Sequence, residues 1–159
     1  MEFVNDALCE ITAYSREELI GQNPRILKSG EQQESFYKEM WDTILRGETW
    51  RGKFHNKKKN GELYWANSVI SPLFDEEGKI IQYVATEEDI TEEKRNYLIQ
   101  KVQFNIAHSM VTSPTLNDLF TRVKTELNKI LYAKNFFIAL FDTNTGDLTA
   151  QLGEDEKEF

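Results

Sequence analysis

The stretch Thr49–Lys94, TWRGKFHNKKKNGELYWANSVISPLFDEEGKIIQYVATEEDITEEK, decides the fold. It holds three runs rich in β-branched and aromatic residues: Trp50 to Asn56, Glu62 to Leu73 and Lys79 to Asp89. Asn60-Gly61 and Asp75-Glu76-Glu77-Gly78 separate them, and both are turn signals. Loops this short make neighbouring strands pair antiparallel, so the stretch reads as a three-stranded meander that runs into a helix.

In the middle run a period of two puts Tyr64, Ala66, Ser68, Ile70 and Pro72 on one face and Leu63, Trp65, Asn67, Val69 and Ser71 on the other. Neither face is cleanly polar. Small and hydroxyl side chains beneath a layer of helices leave room either for larger side chains from above or for a ligand.

As an ensemble, WRGxFxNKKKxGxxYW, then SP, DEEGxI and EEDIT, resembles the C-terminal half of a PAS domain. The preceding NDALCEITAYSREELIGQNPRILKSG is similar to the helical half of PAS sensors in bacterial signalling proteins, which carries the resemblance from Met1 to about Lys94. It implies an α+β fold, an antiparallel sheet covered by short helices. Glu2 to Asn5 reads as the end of a strand, and the resemblance implies that the first strands of such a sheet lie outside this sequence.

Working outward, Asn5 to Thr12 reads as a short helix, and Ser15-Arg16-Glu17-Glu18 is a capping box that opens another, ending at Gly21. Gln22 to Arg25 breaks the helical pattern, because the residue before Pro24 avoids the α region. A loop over the sheet is expected there. From Glu34 to Leu45, Phe36, Met40, Trp41, Ile44 and Leu45 follow helical spacing up to Gly47, and a Met40/Trp41/Ile44 stripe is expected on the sheet.

After Asp89-Ile90-Thr91, Thr91 is expected to cap a new helix with Glu92 and Glu93 in its first turn. Ile99, Val102, Ile106 and Met110 form its seam, either packed on its own chain or paired with a second copy. TLNDLFxxVKxELNKILYAKNFFIALFDTNTGDLTA, with Leu116, Leu119, Phe120, Val123, Leu127 and Ile130 on one face, resembles the opening helix and hairpin of a GAF domain. The expected organisation is a PAS sensor over 1–91, a signalling linker helix over 92–113 and the start of a GAF domain over 114–159.

Lys+Arg 19 against Asp+Glu 27 gives a formal net charge of -8, which argues against nucleic acid or an anionic membrane as partner. The lone Cys9 excludes an internal disulfide framework and fits a reducing compartment, so the cytoplasm is expected. The longest apolar run, Phe136 to Phe141, is far too short to span a bilayer, although a membrane anchor elsewhere in a longer parent stays open. His55 and His108 are the only histidines, and neither sits in a catalytic constellation. Around His108, Asn105 to Met110 lacks the acidic residue that follows the phosphorylated histidine of a histidine kinase. Lys57-Lys58-Lys59 beside Asn60-Gly61 reads as a solvated turn.

The resemblance turns the ligand question into one about flavin. Asn23-Pro24-Arg25 falls where the light-sensing LOV branch has asparagine-cysteine-arginine, so Pro24 excludes covalent flavin photochemistry at that position. Asn56 matches a flavin-contacting asparagine, whereas Ala66 replaces a second one and Glu87 stands where a glutamine reads the ring. Trp50-Arg51-Gly52 and Asn56-Lys57-Lys58 are also similar to FAD-binding redox-sensing PAS domains. The resemblance implies Asn56, Trp50, Arg25, Asn23, Glu87, Tyr64 and Ser68 as pocket residues. FAD or FMN is a cofactor to test rather than the favoured one, because half of the polar set is gone, and haem fits less well because neither histidine lies on the covering helices.

The implied function is sensing and relay within a multidomain bacterial signalling protein, most simply a two-component sensor histidine kinase. A diguanylate cyclase or other output parent, or a PAS dimerisation unit without ligand, are the alternatives. The expected partners are a small molecule and a second copy of the chain through the linker helix or the PAS domain. For relay, Asp89 is expected to reach Arg51 or Lys53 on a neighbouring strand while Thr91 caps the helix.

Overall fold

The structure is a computed structural model that describes residues 1–131, 136–141 and 143–154. It is α+β and divides into two compact units, Met1–Glu93 and Lys94–Phe159.

In the first unit, helices α1 (Asp6–Thr12) and α2 (Arg16–Leu19), a 3-10 turn (Pro24–Leu27) and helix α3 (Glu34–Leu45) precede strands β1 (Trp50–Lys57), β2 (Leu63–Phe74) and β3 (Ile80–Asp89). Polar side chains start the short helices. Asn5 accepts from the Leu8 N–H, and Ser15 and Glu18 complete the reciprocal capping box. The break at Pro24 is a 3-10 turn rather than an open loop: Asn23 accepts from the Arg25 N–H, and proline occupies a position that needs no donor.

Glu2 to Asn5 forms no strand. The backbone of Met1 bonds instead to Gly21 and Gln22, which draws this segment toward the end of α2.

The sheet order is β1-β2-β3, antiparallel throughout. At the first turn Asn60 accepts from the Glu62 N–H; at the second Asp75 accepts from Glu77 and Lys79. Lys58 and Lys59 at the hairpin tip pair with Glu62 and Glu18.

α3 lies on the inner face of the sheet, but turned from the expected stripe. Met40 and Ile44 are buried with Trp50, Phe54, Tyr64 and Ala66, and Phe36 and Tyr37 pack against them. Trp41 is 49% exposed and Leu45 64%. The aromatic residues of β1 select this face: Phe36 meets Trp50 and Phe54 edge-on, with ring centroids 5.3 and 5.4 Å apart. Each fully buried side chain of this size contributes about 1.5–3 kcal/mol.

Helix α4 (Thr91–Thr112) begins at the end of the first unit and continues into the second, where helix α5 (Leu116–Leu127) and the antiparallel hairpin of β4 (Phe136–Phe141) and β5 (Leu148–Glu154) follow. Thr115 caps α5 by accepting from the Asp118 N–H. Val102 and Ser109 on α4 and Phe120 on α5 are buried, and the Asn105 amide donates to Glu126 across the two helices at 2.9 Å. Of the expected seam, Met110 stands 65% exposed. No helix among the described residues is long and apolar enough to cross a membrane.

Candidate functional site

The register assembles the site. Asn56 pairs with Tyr64 across β1 and β2, Gly52 with Ser68, and Ser68 with Glu87 across β2 and β3. Side chains opposite one another share a face, so Trp50, Asn56, Tyr64, Ser68 and Glu87 all stand on the inner face, which α3 covers over β1 and β2. Tyr64 and Ser68 are fully buried, Trp50 and Asn56 nearly so.

Four polar atoms on this face are buried without a hydrogen-bond partner: Trp50 Nε1, the Tyr64 hydroxyl, the Ser68 hydroxyl and Glu87 Oε2. Each such atom costs about 1–3 kcal/mol. A fold rarely gathers four of them on one face for packing alone. Burial pushes the Glu87 carboxyl above the usual carboxylate range; the Ser68 hydroxyl opposite it partly offsets this without reaching hydrogen-bonding geometry. Burial, and then the nearby Glu87 charge, likewise push the Tyr64 phenol up.

The indole of Trp50 fills the space over Gly52. A Cβ at position 52 would come within 2.2 Å of the Trp50 ring, so only glycine lets the indole pack this closely against its own strand. The Trp50 ring thus fills the space over Gly52, on the same face as the unsatisfied polar atoms.

Asn23 and Arg25 do not join this cluster. Both are exposed, and Asn23 is used as the cap of the 3-10 turn. The proline that breaks the helix also fixes them at the surface.

The outer face is organised differently. The His55 ring stacks on Trp65 with centroids 4.3 Å apart, and His55 Nδ1 lies 2.6 Å from Glu31. The Gln32 side chain accepts from the His55 N–H and donates to the Lys53 carbonyl, Ser29 donates to the His55 carbonyl, and Lys28 bridges to Asn56. The strap over 28–32 is thereby laced to β1. Nothing in its polar sequence, Lys28-Ser29-Gly30-Glu31-Gln32, signals more than a solvated loop.

At the junction with α4 the expected roles change places. The Asp89 carboxylate accepts from the Thr91 N–H at 2.9 Å and so caps the helix. The Thr91 hydroxyl instead accepts from the Trp65 N–H at 2.9 Å, and the Ile90 N–H donates to the Trp65 carbonyl at 2.8 Å. Asp89 makes no ion pair with Arg51 or Lys53 among the described residues, because β2 lies between β1 and β3 and Arg51 pairs with Val69 on the outer face. Asp89, opposite Ala66, is on the inner one.

His108 is exposed on α4, and no group of three or more histidine, cysteine or acidic residues suited to a metal occurs among the described residues.

A cover of four short helical elements on an antiparallel sheet, with polar side chains gathered on its inner face, defines a small sensory module. The PAS domain family model matches residues 1–92, and the chain belongs to that family. It is 37% identical over 89 residues to the nitrogen fixation regulatory protein of Klebsiella oxytoca, covering 56% of this chain and 18% of that protein. It is 31% identical over 90 residues to the aerotaxis receptor of Escherichia coli, covering 57% of this chain and 18% of the receptor. The chain therefore spans less than a fifth of these relatives. Among solved structures, the LOV domain of the blue-light activated histidine kinase of Erythrobacter litoralis superposes with a TM-score of 0.53 at 26% identity, over 57% of this chain and 83% of that one. The light-state LOV domain of the photoreceptor Aureochrome1 does so with 0.55 at 21%, over 63% and 78%.

Proposed function

We infer that this chain is the sensing and relay segment of a larger signal-transduction protein. In this reading a small ligand binds on the inner face of the PAS sheet, and its arrival is passed through β3 to the start of α4. The four unsatisfied buried polar atoms carry the ligand half of the reading. The space over Gly52 that the Trp50 ring takes suits a planar ring, and the resemblance of Asn56 and its neighbours to the flavin-binding branch makes flavin the first ligand to try.

Relay is supported by continuity. Glu87 and Asp89 share one face of β3, and Asp89 caps α4 while Thr91 ties the same turn to β2. A shift of β3 by a fraction of an ångström must move one of these attachments. A sensor histidine kinase is the parent we favour, with the helix and hairpin after α4 as the opening of a GAF domain and α4 as the contact between two copies. A diguanylate cyclase parent is the alternative.

The test uses the full-length parent. Asp89→Ala and Thr91→Ala should each change stimulus-dependent output while circular dichroism shows the fold retained. Normal output from both, or loss of output only through unfolding, would make the junction a helix cap without a signalling role.

A further inference from the structure

The outer face of the sheet carries a connected set of contacts that the ligand reading leaves unused. His55 stands at its centre, with 17% of its side chain exposed. On one side its Nδ1 lies 2.6 Å from the carboxylate of Glu31, which belongs to the strap over 28–32. On the other, its ring stacks on Trp65, the residue opposite it on β2, with centroids 4.3 Å apart and planes 11° apart. The backbone of Trp65 in turn holds the start of α4, because its N–H donates to the Thr91 hydroxyl and its carbonyl accepts from the Ile90 N–H. Strap, sheet and helix start are thereby joined through one imidazole ring.

We propose that Glu31, His55 and Trp65 form a proton-operated latch, which grips the strap and the start of α4 when the His55 ring is charged and loosens both when it is neutral. The latch gives the relay an input on the outer face. It rests on the reading of the α4 junction as a relay and on no ligand of the inner face.

The groups around the ring decide the direction. A charged imidazole turns its contact with the Glu31 carboxylate into a charge-assisted hydrogen bond between opposite charges. The indole acts in the same sense, since the face of an aromatic ring attracts a cation. Lys53 and Lys57 flank His55 on the same face of β1, and both are exposed. They oppose the charge through screening water, whereas Glu31 and Trp65 act at contact. Lys28 of the strap is turned away over the Tyr37 ring, 3.5 Å from its centre. Leu63 and Asn67 on β2 are uncharged, and Glu88 on β3 lies one strand further out, opposite Asn67. A neutral ring keeps a single N–H donor and gives up both attractions.

The strap cannot part from the ring alone. Gln32 accepts from the His55 N–H and Ser29 donates to its carbonyl, so loosening at the ring draws on the backbone bonds that fix β1 beside β2. Histidine is the side chain suited to make this change of charge near neutral pH.

The experiment records amide correlation spectra of the 159-residue chain by NMR from about pH 5 to about pH 8. His108, the only other histidine, is replaced throughout as His108→Gln, so that one imidazole titrates. The ring protons of His55 and the amides of Glu31, Trp65, Ile90 and Thr91 are expected to shift with one shared midpoint. Adding His55→Gln should abolish that shift at all four amides, while any titration of Glu87 on the inner face survives the substitution and is told apart by it. Amides of Ile90 and Thr91 that stay still while the ring titrates, or that follow a different midpoint, overturn the latch, and this comparison needs only the chain that keeps His55. Shifts left unchanged by His55→Gln in a chain whose spectrum shows it folded overturn it as well. The relay reading fails separately, through unaltered output of the Asp89→Ala and Thr91→Ala parents.

Discussion

The two faces of the PAS sheet treat polar groups in opposite ways. On the outer side and at the junction, Glu31, Gln32, His55, Asp89 and Thr91 all have partners, with distances from 2.6 to 3.1 Å. On the inner side Trp50, Tyr64 and Ser68 are deeply buried and Glu87 is half-buried, and each holds a buried polar atom without a hydrogen-bond partner. The first arrangement is what a strut needs. The second weakens the fold and makes sense where something else completes the bonds.

The comparison breaks most readily at Gly52. Gly52→Ala drives a Cβ into the Trp50 ring, so either the indole leaves the sheet or the strand shifts. A loss of about 1–3 kcal/mol is expected in denaturant unfolding, with a change in tryptophan emission. An unchanged midpoint and spectrum would mean that the ring does not lie over Gly52.

At the junction, Thr91→Val removes the acceptor of the Trp65 N–H while keeping the shape of the side chain. A loss of about 1–2 kcal/mol is expected, and Thr91→Ser should restore most of it. If serine fails to rescue, the methyl group rather than the hydroxyl holds the junction.

Glu87→Gln sharpens the contrast through pH. Burial raises the folded-state pKa of Glu87 above its unfolded value, so the contribution of the acid form is fully present below the ordinary carboxylate range and is lost as pH rises through the folded value. The variant should therefore be more stable than wild type at neutral and alkaline pH, with the difference closing as the solution is acidified. Thermal unfolding across pH checks this, and a difference independent of pH would contradict it.

The smallest effect is expected at Glu31, whose side chain is 54% exposed where it meets His55. Glu31→Gln should cost about 0–1 kcal/mol in chemical denaturation. A larger loss would make the strap over 28–32 a principal support of β1.

Much of this was legible in the chain. Strand alternation and two turn signals set the meander, and the period of two along β2 put Tyr64, Ala66 and Ser68 on one face. Periodicity could not say how far α3 is rotated. Trp41 is as apolar as Phe36, and only the edge-on fit of Phe36 to Trp50 and Phe54 decides between them. The meander already placed β2 between Asp89 and Arg51; what the sequence did not show is the register that turns the two side chains to opposite faces. At the junction, a threonine and an aspartate two residues apart are equally good caps by type. The choice falls to Asp89 because the Trp65 N–H takes the threonine hydroxyl. The lacing of 28–32 left no trace, because apart from the Glu31–His55 pair its bonds go to backbone atoms of β1 that any sequence would offer.

The most direct test of the difference between the two faces is the urea unfolding midpoint of the double variant Tyr64→Phe with Ser68→Ala. If the inner-face hydroxyls are kept for a ligand, the ligand-free variant should be at least as stable as wild type, because two buried groups without partners have been removed. A loss of about 1 kcal/mol or more for each hydroxyl would show that both are bonded within the fold, and that the inner face is an ordinary core.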